Sequence, residues 1–339
     1  MLRDRARSRD LRHRRGLVTG LALALATALP TAAVAYDGLY ETSTSRYVVA
    51  EDAPSVKASI TVTLRNTIRD RRVNGRIQYY YFDSYRIPVP ASVKQVTATS
   101  GGSSLRTVLG PGPDDTVKYV RVTFPQLRYG RTRTIAFQFD IPGASFRSKD
   151  YTRVGDGYAA FAVQGWGEPG EVSVEIVLPK GMEFNSTADG FQETQQDDTV
   201  TWRADRHTDA DGIWSVVSAR DPSRVGQHQV RIGGDTVSVL SFPGDDGWAE
   251  FITTQVDKGI PVLEKLVGQE WPGGLSRIRE DVAPAVTGYA WFDHREHEIV
   301  LGEEFDAALL YHELTHAWLN GDHVHERWLS EGLTDLVAH

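Results

Sequence analysis

The sequence contains no cysteine. A chain without thiols forms neither disulfides nor thiolate metal sites, so its stability depends on its core, and any zinc site must be built from His, Asp and Glu. Cysteine nucleophiles are excluded for the same reason. The sequence also has no Gly-rich phosphate-binding loop and no serine in a nucleophile-elbow pattern. A phosphate loop, an elbow serine and a nucleophilic cysteine therefore do not compete for any other candidate site.

An excess of positive charge is also absent. The 339 residues include 37 basic and 45 acidic side chains, a net charge of -8, with 40% hydrophobic and 24% charged residues. This length and composition predict a globular chain with two cores. Without residues 1–35, which hold seven Arg and two Asp, the net charge becomes -13. The acidic balance argues against nucleic acid and anionic membrane as partners.

Long apolar runs are missing except near the N-terminus. Seven arginines in the first fifteen residues precede Gly16–Ala35, a mostly apolar stretch without charge. It ends in the small-x-small pattern Ala33-Val34-Ala35, which is typical of signal peptidase sites. We therefore expect residues 1–35 to be a signal peptide, cleaved before Tyr36, and the protein to be secreted or extracellular. The alternative is an uncleaved anchor that holds the protein at the cell surface, since twenty uncharged residues can just cross a bilayer.

From about Tyr47 to Leu240 the sequence is dominated by strand patterns. Segments rich in Val, Ile, Thr and aromatic residues alternate with Gly, Pro, Asn and Asp. We predict an antiparallel β domain over residues 36–242, saddle-like or sandwich-like, in which 94–116 is an exposed connection and 186–202 a hairpin. The predicted strands cover 55–66, 75–89, 117–124, 132–141, 158–166, 171–179, 199–205, 212–219 and 235–242.

The pattern changes after Pro243, and we place the domain boundary near 241–246. Apolar residues then recur at spacings of three and four from Trp248 to Val267, which predicts an amphipathic helix that ends at Gly268. Strand patterns follow at 289–292 and 298–301, then helices at 305–320 and from 326 onward. Residues 243–339 therefore form a second domain, and the fold class of the whole chain is α+β.

The helix at 305–320 carries the sequence "HELTH". His312 and His316 are four residues apart and project from one face a turn apart, close enough to reach one cation. Glu313 lies on the flank of that face, where it can contact an attacking water. The helix is apolar on most sides, and buried imidazoles and carboxylates need partners. A surface helix with ordinary polar residues is therefore the weaker interpretation.

"HELTHAW" followed by "WLSEG" resembles the gluzincin zinc metallopeptidases, especially the aminopeptidase-N and leukotriene-A4-hydrolase family. The resemblance implies that His312, His316 and Glu331 bind Zn²⁺ and that Glu313 is the general base toward a zinc-activated water. It also implies that Asp335 hydrogen-bonds a zinc-binding histidine, although a solvated helix charge is the alternative. The implied fold is a β domain followed by a thermolysin-like α+β domain. The expected activity is hydrolysis of peptide bonds in peptide or protein substrates.

The match to this family is incomplete in the substrate site. Its aminopeptidases carry a G-x-M-E-N strand whose glutamate binds the substrate amine, whereas this sequence has "TGYAWFDHREH" in the comparable place. Gly288, Tyr289, Ala290 and Trp291 are still expected to form the edge strand that pairs with a peptide backbone. An aminopeptidase and an endopeptidase therefore both remain open.

Other polar residues near the motif have weaker assignments. Glu296 or Glu298 is a candidate substitute for the missing amine-binding glutamate. The histidines of "FDHREHE" and "GDHVHE" lie in polar turns and are predicted to be surface residues. They are His294, His297, His323 and His325.

The sequence ends eight residues after Glu331, where the resembled enzymes continue into a helical subdomain that supplies an oxyanion donor. We expect the C-terminal part of the catalytic domain to be missing, so that the sequence is a fragment, or a partner completes it, or catalysis is weak or lost. The alternative function is thus a surface protein in which the β domain binds a partner and the zinc module is structural.

Overall fold

The computed structural model describes residues 38–49, 55–148, 150, 152–168, 171–205, 212–281, 290–320 and 323–338. The predicted signal segment, residues 1–35, lies outside the described residues, and so do Gly288 and Tyr289 of the predicted edge strand. The described chain is mostly β, with strands first and helices toward its end.

Seventeen described strands, β1 to β17, make up the N-terminal β unit. Their bounds are β1 Leu39–Val49, β2 Ser55–Asn66, β3 Arg71–Val73, β4 Arg76–Gln78, β5 Tyr81–Pro90, β6 Val96–Ser100, β7 Ser103–Leu105, β8 Thr107–Pro111, β9 Val117–Arg128, β10 Thr132–Pro142, β11 Arg153–Gly155, β12 Tyr158–Gly165, β13 Val172–Pro179, β14 Glu183–Ser186, β15 Gln192–Gln195, β16 Thr199–Asp205 and β17 Ile213–Arg220.

Three larger sheets and one hairpin form this unit. The strand orders are β15-β16-β13-β1-β2-β10-β6-β7, β11-β12-β17-β14 and β5-β9-β8, and β3 pairs with β4. Inward residues of all three larger sheets share one core, in which Ile60, Ile87 and Phe161 are almost fully buried. This core results from strict alternation, as in β2, where every second residue is buried.

We had predicted an antiparallel β domain, but one pair of strands in it is parallel. β1 and β13 run parallel, with Ser43 opposite Val172 and Val48 opposite Val177. The reason is a crossover, because β12 belongs to the four-stranded sheet and the chain changes sheets before it enters β13. A parallel neighbour requires such a connection rather than a tight turn.

Two further strand predictions need correction. Residues 94–116 are not an open connection, because they hold β6, β7 and β8. Gly101 and Gly102, both at positive φ, form the turn between β6 and β7. The predicted strand at 75–89 is divided into β4 and β5 by Tyr79 and Tyr80, which lie between them.

The first strand, β1, begins eight residues before the predicted start of the strand-rich region. Its inward positions include Glu41, Ser43 and Ser45, which are buried although polar. Glu41 accepts a hydrogen bond of 2.7 Å from the Tyr85 hydroxyl, and Ser43 accepts one of 2.8 Å from the backbone of Trp166. Because these inward residues are polar, apolar and polar residues do not alternate along this part of β1, and the sequence pattern that predicts a strand is weak there.

The remaining elements form a second unit around a mixed five-stranded sheet of order β18-β19-β20-β22-β21. Their bounds are β18 Gly226–Ile232, β19 Asp235–Ser241, α1 Asp246–Val267, β20 Arg277–Glu280, β21 Ala290–Asp293, β22 Glu298–Leu301, α2 Ala307–Thr315 and α3 Arg327–Ala338. β18 and β19 precede residue 242 but belong to this sheet. The predicted boundary near 241–246 therefore falls after the first two strands of this sheet.

Helix α1 agrees with its predicted span. The Asp245 side chain caps its start by accepting the Trp248 N–H, and Gly268 ends it in the left-handed conformation at φ 77°. Trp248, Ile252 and Val256 are buried against the sheet. No helix in the described residues combines the length and apolar character needed to span a bilayer.

Two arginines of the β unit contact the second unit. Arg153, almost fully buried, donates to both carboxylate oxygens of Glu303 at 2.9 and 2.6 Å. Arg147 donates to both oxygens of Asp245 at 2.6 and 2.7 Å. Because Asp245 starts α1 and Glu303 lies just before α2, these pairs link both helices to the β unit.

Candidate metal centre

Helix α2 begins at Ala307, and the Asp306 side chain caps it by accepting the Leu309 N–H at 3.0 Å. It ends at Thr315, five residues before the predicted end. His316 is the C-cap, and the next N–H groups bond to carbonyls three residues back, as at Ala317 to Leu314. The predicted continuation to 320 is therefore wrong, because the chain tightens into 3₁₀-type turns.

Packing against α1 fixes the orientation of α2. Leu310 and Leu314 are fully buried in the core of the second unit. The Tyr311 hydroxyl donates to Gln255 Oε1 at 2.8 Å, and its ring lies against Gly259, where a Cβ would overlap it. Glycine therefore permits this close approach of the two helices.

Small polar side chains bring α3 close to α2. Ser330 and Thr334 are buried on the face of α3 that packs against α2. The Ser330 hydroxyl donates to the Leu319 carbonyl at 2.5 Å. This contact orients the first turn of α3 so that Glu331, the next residue, lies beside the two histidines.

One nitrogen of each histidine and one oxygen of Glu331 lie within 4.8 Å of one another. His312 Nε2 is 3.4 Å and His316 Nε2 is 3.6 Å from Glu331 Oε2. Ligands bound tetrahedrally to zinc at about 2.0–2.2 Å are separated by about 3.4 Å. The three side chains therefore fit a zinc ion. The two distances from nitrogen to oxygen are longer than those of a good hydrogen bond.

The second nitrogen of each imidazole has its own partner. His312 Nδ1 lies 2.8 Å from Asp335 Oδ1, and His316 Nδ1 lies 3.3 Å from the Leu319 carbonyl oxygen. If each Nδ1 carries the proton, both Nε2 lone pairs are directed toward Glu331. This is the arrangement that metal-binding histidines need. Burial lowers the pKa of His316, which favours the neutral form.

Glu313 does not belong to that cluster, but its carboxylate interacts with the charge of Glu331. Its side chain is buried, and its carboxylate accepts the backbone N–H of Phe292. Burial first, and then the negative charge of Glu331, raises the pKa of Glu313, and the Phe292 N–H opposes both; the result is a pKa of about 8. A carboxylate held in this way is suited to accept a proton near neutral pH.

A cavity of about 820 Å³ opens in front of these residues, between β21 and the helices. Ala290 and Trp291 of the predicted edge strand line it. Glu296 and Glu298 do not. Glu298 is held by Arg277 and Arg279, with contacts of 2.6 and 3.2 Å, so it is committed to the sheet.

His294 and His325 are exposed, as predicted, and both also line the cavity. The His294 ring stacks on Phe292 with centroids 4.4 Å apart. His294 lies directly after β21, which ends at Asp293, so strand alternation gave no signal for its position. His325 lies in the irregular segment before α3, where no periodic signal exists.

Comparisons with known proteins add little. The sequence matches no protein-family model and no curated protein. Among solved structures, it is similar to an M1 zinc metallopeptidase from Deinococcus radiodurans, with 14% identity, 89% of this chain and 70% of that chain covered, and a TM-score of 0.35. A mutant of that enzyme with a Tyr-Ser-Ala substrate bound matches at 15% identity, with the same coverage and a TM-score of 0.36.

An aminopeptidase N family protein from Idiomarina loihiensis is similar at 13% identity, with 81% of this chain and 47% of that chain covered and a TM-score of 0.36. The structural neighbours are thus M1 zinc metallopeptidases. At such identities and TM-scores, the likeness does not assign this chain to a family.

Proposed function

We propose that this protein is an exported zinc-dependent metallopeptidase that hydrolyses peptide bonds. The observation that carries the proposal is the convergence of His312 Nε2, His316 Nε2 and Glu331 Oε2, with Glu313 adjacent and a cavity in front. His312, His316 and Glu331 would hold the metal, and Asp335 would orient His312. When bound, zinc supplies a Lewis acid that polarises the substrate carbonyl.

Glu313 is the general base of this proposal. It accepts a proton from the water that attacks the carbonyl carbon and then passes that proton to the leaving amine. The bond from carbonyl carbon to nitrogen breaks, and a carboxylic acid and an amine are formed. The Phe292 N–H restrains the carboxylate on the cavity side of α2.

The substrate is a peptide or protein segment bound along β21. β21 is an edge strand that pairs only with β22 among the described residues, so a peptide can add to its other side. The aromatic side chains of Trp291 and Phe292 at this wall favour apolar residues beside the cleaved bond.

Glu313→Gln tests the mechanism. We expect the variant to bind one zinc per chain and to lose about 10²- to 10⁴-fold in peptide hydrolysis, because the amide is no base. Glu304→Gln, an exposed neighbour, is the control and keeps both properties. Full activity of Glu313→Gln, or no stoichiometric zinc in the parent, would remove the proposal. Zinc without hydrolysis of any peptide in a library supports a structural metal instead.

Comparison of free and N-acetylated peptides distinguishes the two kinds of peptidase. An endopeptidase cleaves both, whereas an aminopeptidase requires the free amine. The proposed export has a separate test, since N-terminal sequencing of protein recovered outside the cell should begin at Tyr36. Recovery only in a membrane fraction, with residues 1–35 retained, favours the anchored alternative.

A further inference from the structure

One end of the β unit carries a concentration of arginine and tyrosine that the acidic composition conceals. We call it the arginine–tyrosine surface, and it comes from two chain segments, 69–81 and 128–131. Its members are Arg69, Arg71, Arg72, Arg76, Arg128 and Arg131 with Tyr79, Tyr80, Tyr81 and Tyr129. All six arginines are exposed, and among the described residues none lies within ion-pair distance of a carboxylate.

Buried Asn66 holds the two segments together. Its side-chain amide donates to the carbonyls of Tyr80 and Leu127 at 3.1 and 2.9 Å, and its Oδ1 accepts the Ile68 N–H at 2.8 Å. Its backbone N–H donates to Arg131 O at 3.1 Å. One residue thus satisfies the polar backbone groups at the base of both segments, so the surface is built into the fold.

Ring contacts arrange the arginines within this surface. The Arg128 guanidinium lies 5.5 Å from the Tyr79 ring centre and that of Arg71 lies 5.9 Å from Tyr80. Arg69 donates to the Tyr129 hydroxyl at 3.1 Å. Stacked guanidinium groups keep their donors available to anionic oxygens.

The β3–β4 hairpin forms the tip of the surface. It turns at Asn74 and Gly75, both at positive φ, and its strands pair with no other described strand. Val73 and Ile77 are 49% and 56% exposed, so they add nothing to a core. Val73 lies opposite Arg76, and Ile77 lies opposite Arg72. Since paired residues and residues two apart on a strand share a face, one face carries Val73 with Arg71 and Arg76, and the other carries Ile77 with Arg72.

We propose that the arginine–tyrosine surface docks the protein on an anionic phospholipid bilayer, with the β3–β4 hairpin inserted among the headgroups. Arginines bind lipid phosphates, tyrosines lie at the interface, and Val73 and Ile77 enter the acyl boundary. A soluble polyanion uses the arginines but has no place for exposed Val73 and Ile77. The net charge of the chain had argued against an anionic membrane, but the local surface has the opposite sign.

Sedimentation with vesicles tests this docking. The protein is the chain from Tyr36 onward, which retains all described residues and cannot bind through its apolar leader. It should bind phosphatidylcholine vesicles that contain phosphatidylglycerol and not pure phosphatidylcholine. Arg71→Gln/Arg72→Gln/Arg76→Gln should weaken binding about a hundredfold, at about fivefold for each arginine. Val73→Ser/Ile77→Ser should weaken it about tenfold.

Matched variants on the second unit are the controls. Arg231→Gln/Lys258→Gln/Lys265→Gln removes three exposed charges, and Val262→Ser/Leu266→Ser removes two side chains that are 55% and 60% exposed. Both should bind vesicles like the parent. Normal binding by Val73→Ser/Ile77→Ser, together with loss in the arginine variant, would overturn the proposal in favour of a polyanion partner. The proposal would also be overturned if the control variants on the second unit lost vesicle binding. The same holds if the parent protein did not bind vesicles that contain phosphatidylglycerol.

Discussion

His312 Nδ1 lies 2.8 Å from Asp335 Oδ1, although the two residues belong to different helices. Asp335 follows Glu331 at position i+4 on α3, so both carboxylates lie on the same helix face toward His312. Each nitrogen of the His312 ring therefore faces one carboxylate: Nδ1 faces Asp335, and Nε2 lies 3.4 Å from Glu331 Oε2. α3 thereby contributes a candidate ligand and the group that orients another candidate ligand.

Asp335→Asn should weaken zinc binding about 10- to 100-fold, because an amide orients the imidazole less firmly and lowers its basicity. Competition with a chelator of known affinity measures the change. Asp257→Asn on the exposed face of α1 is the matched control and should leave zinc affinity unchanged. Equal affinity of Asp335→Asn and the parent would make Asp335 an ordinary surface charge.

Added zinc should stabilise the folded parent protein, and it should not stabilise the Glu331→Gln variant. A ligand that binds only the folded state adds about 4 kcal/mol at a thousandfold excess over its Kd. Thermal unfolding of the chelator-treated protein, with and without added zinc, measures this term. His325→Gln, which changes a cavity residue outside the metal cluster, should retain the zinc-dependent rise in Tm. A rise of equal size in Glu331→Gln would contradict the ligand assignment.

Arg153→Ala should destabilise the protein by about 3–5 kcal/mol, because it leaves the Glu303 carboxylate without its bidentate partner in a buried place. Urea unfolding gives the free energy. The control is Arg46→Ala, which removes an exposed pair with Glu175 and should cost at most about 1 kcal/mol. Similar values for both variants would show that the contact between the two units contributes little.

Glu280→Gln should make stability less dependent on pH. Burial first, and then the neighbouring charge of Asp245, raises the pKa of Glu280 from 4.5 to about 10. The folded state therefore keeps a proton that the unfolded state releases above about pH 4.5. This contribution to stability is complete below that pH and is lost as pH rises toward 10.

The free energy of unfolding by urea at pH 6 and pH 9 tests the effect. The free energy of unfolding should fall more steeply with rising pH in the parent than in Glu280→Gln. The amide of the variant can replace the protonated acid as a donor to Asp245. Glu304→Gln should follow the parent, since Glu304 is exposed. Parallel pH profiles for parent and Glu280→Gln would mean that Glu280 is ionised in the folded protein.

Elements with strong periodic patterns were predictable from the sequence. β2, β10 and α1 agree with their expected spans because each alternates or repeats apolar residues with the period of its structure. β1 was partly missed because its inward face is polar, and α2 was predicted too long because its end depends on hydrogen bonds between neighbouring turns. The membership of β18 and β19 in the five-stranded sheet was not predictable, because only pairing assigns a strand to a sheet.

The sequence alone determined which residue types could meet in the candidate metal site, because the spacing of His312 and His316 on a helix follows from 3.6 residues per turn. Only the tertiary structure decided that Glu331 and Asp335 reach the same imidazole from a second helix, and that His294 faces the cavity. It also decided that distant arginines and tyrosines gather at one end of the β unit around Asn66. The physical reason is that local spacing fixes directions within one element, whereas packing between elements sets the distances across which ligands and charges act.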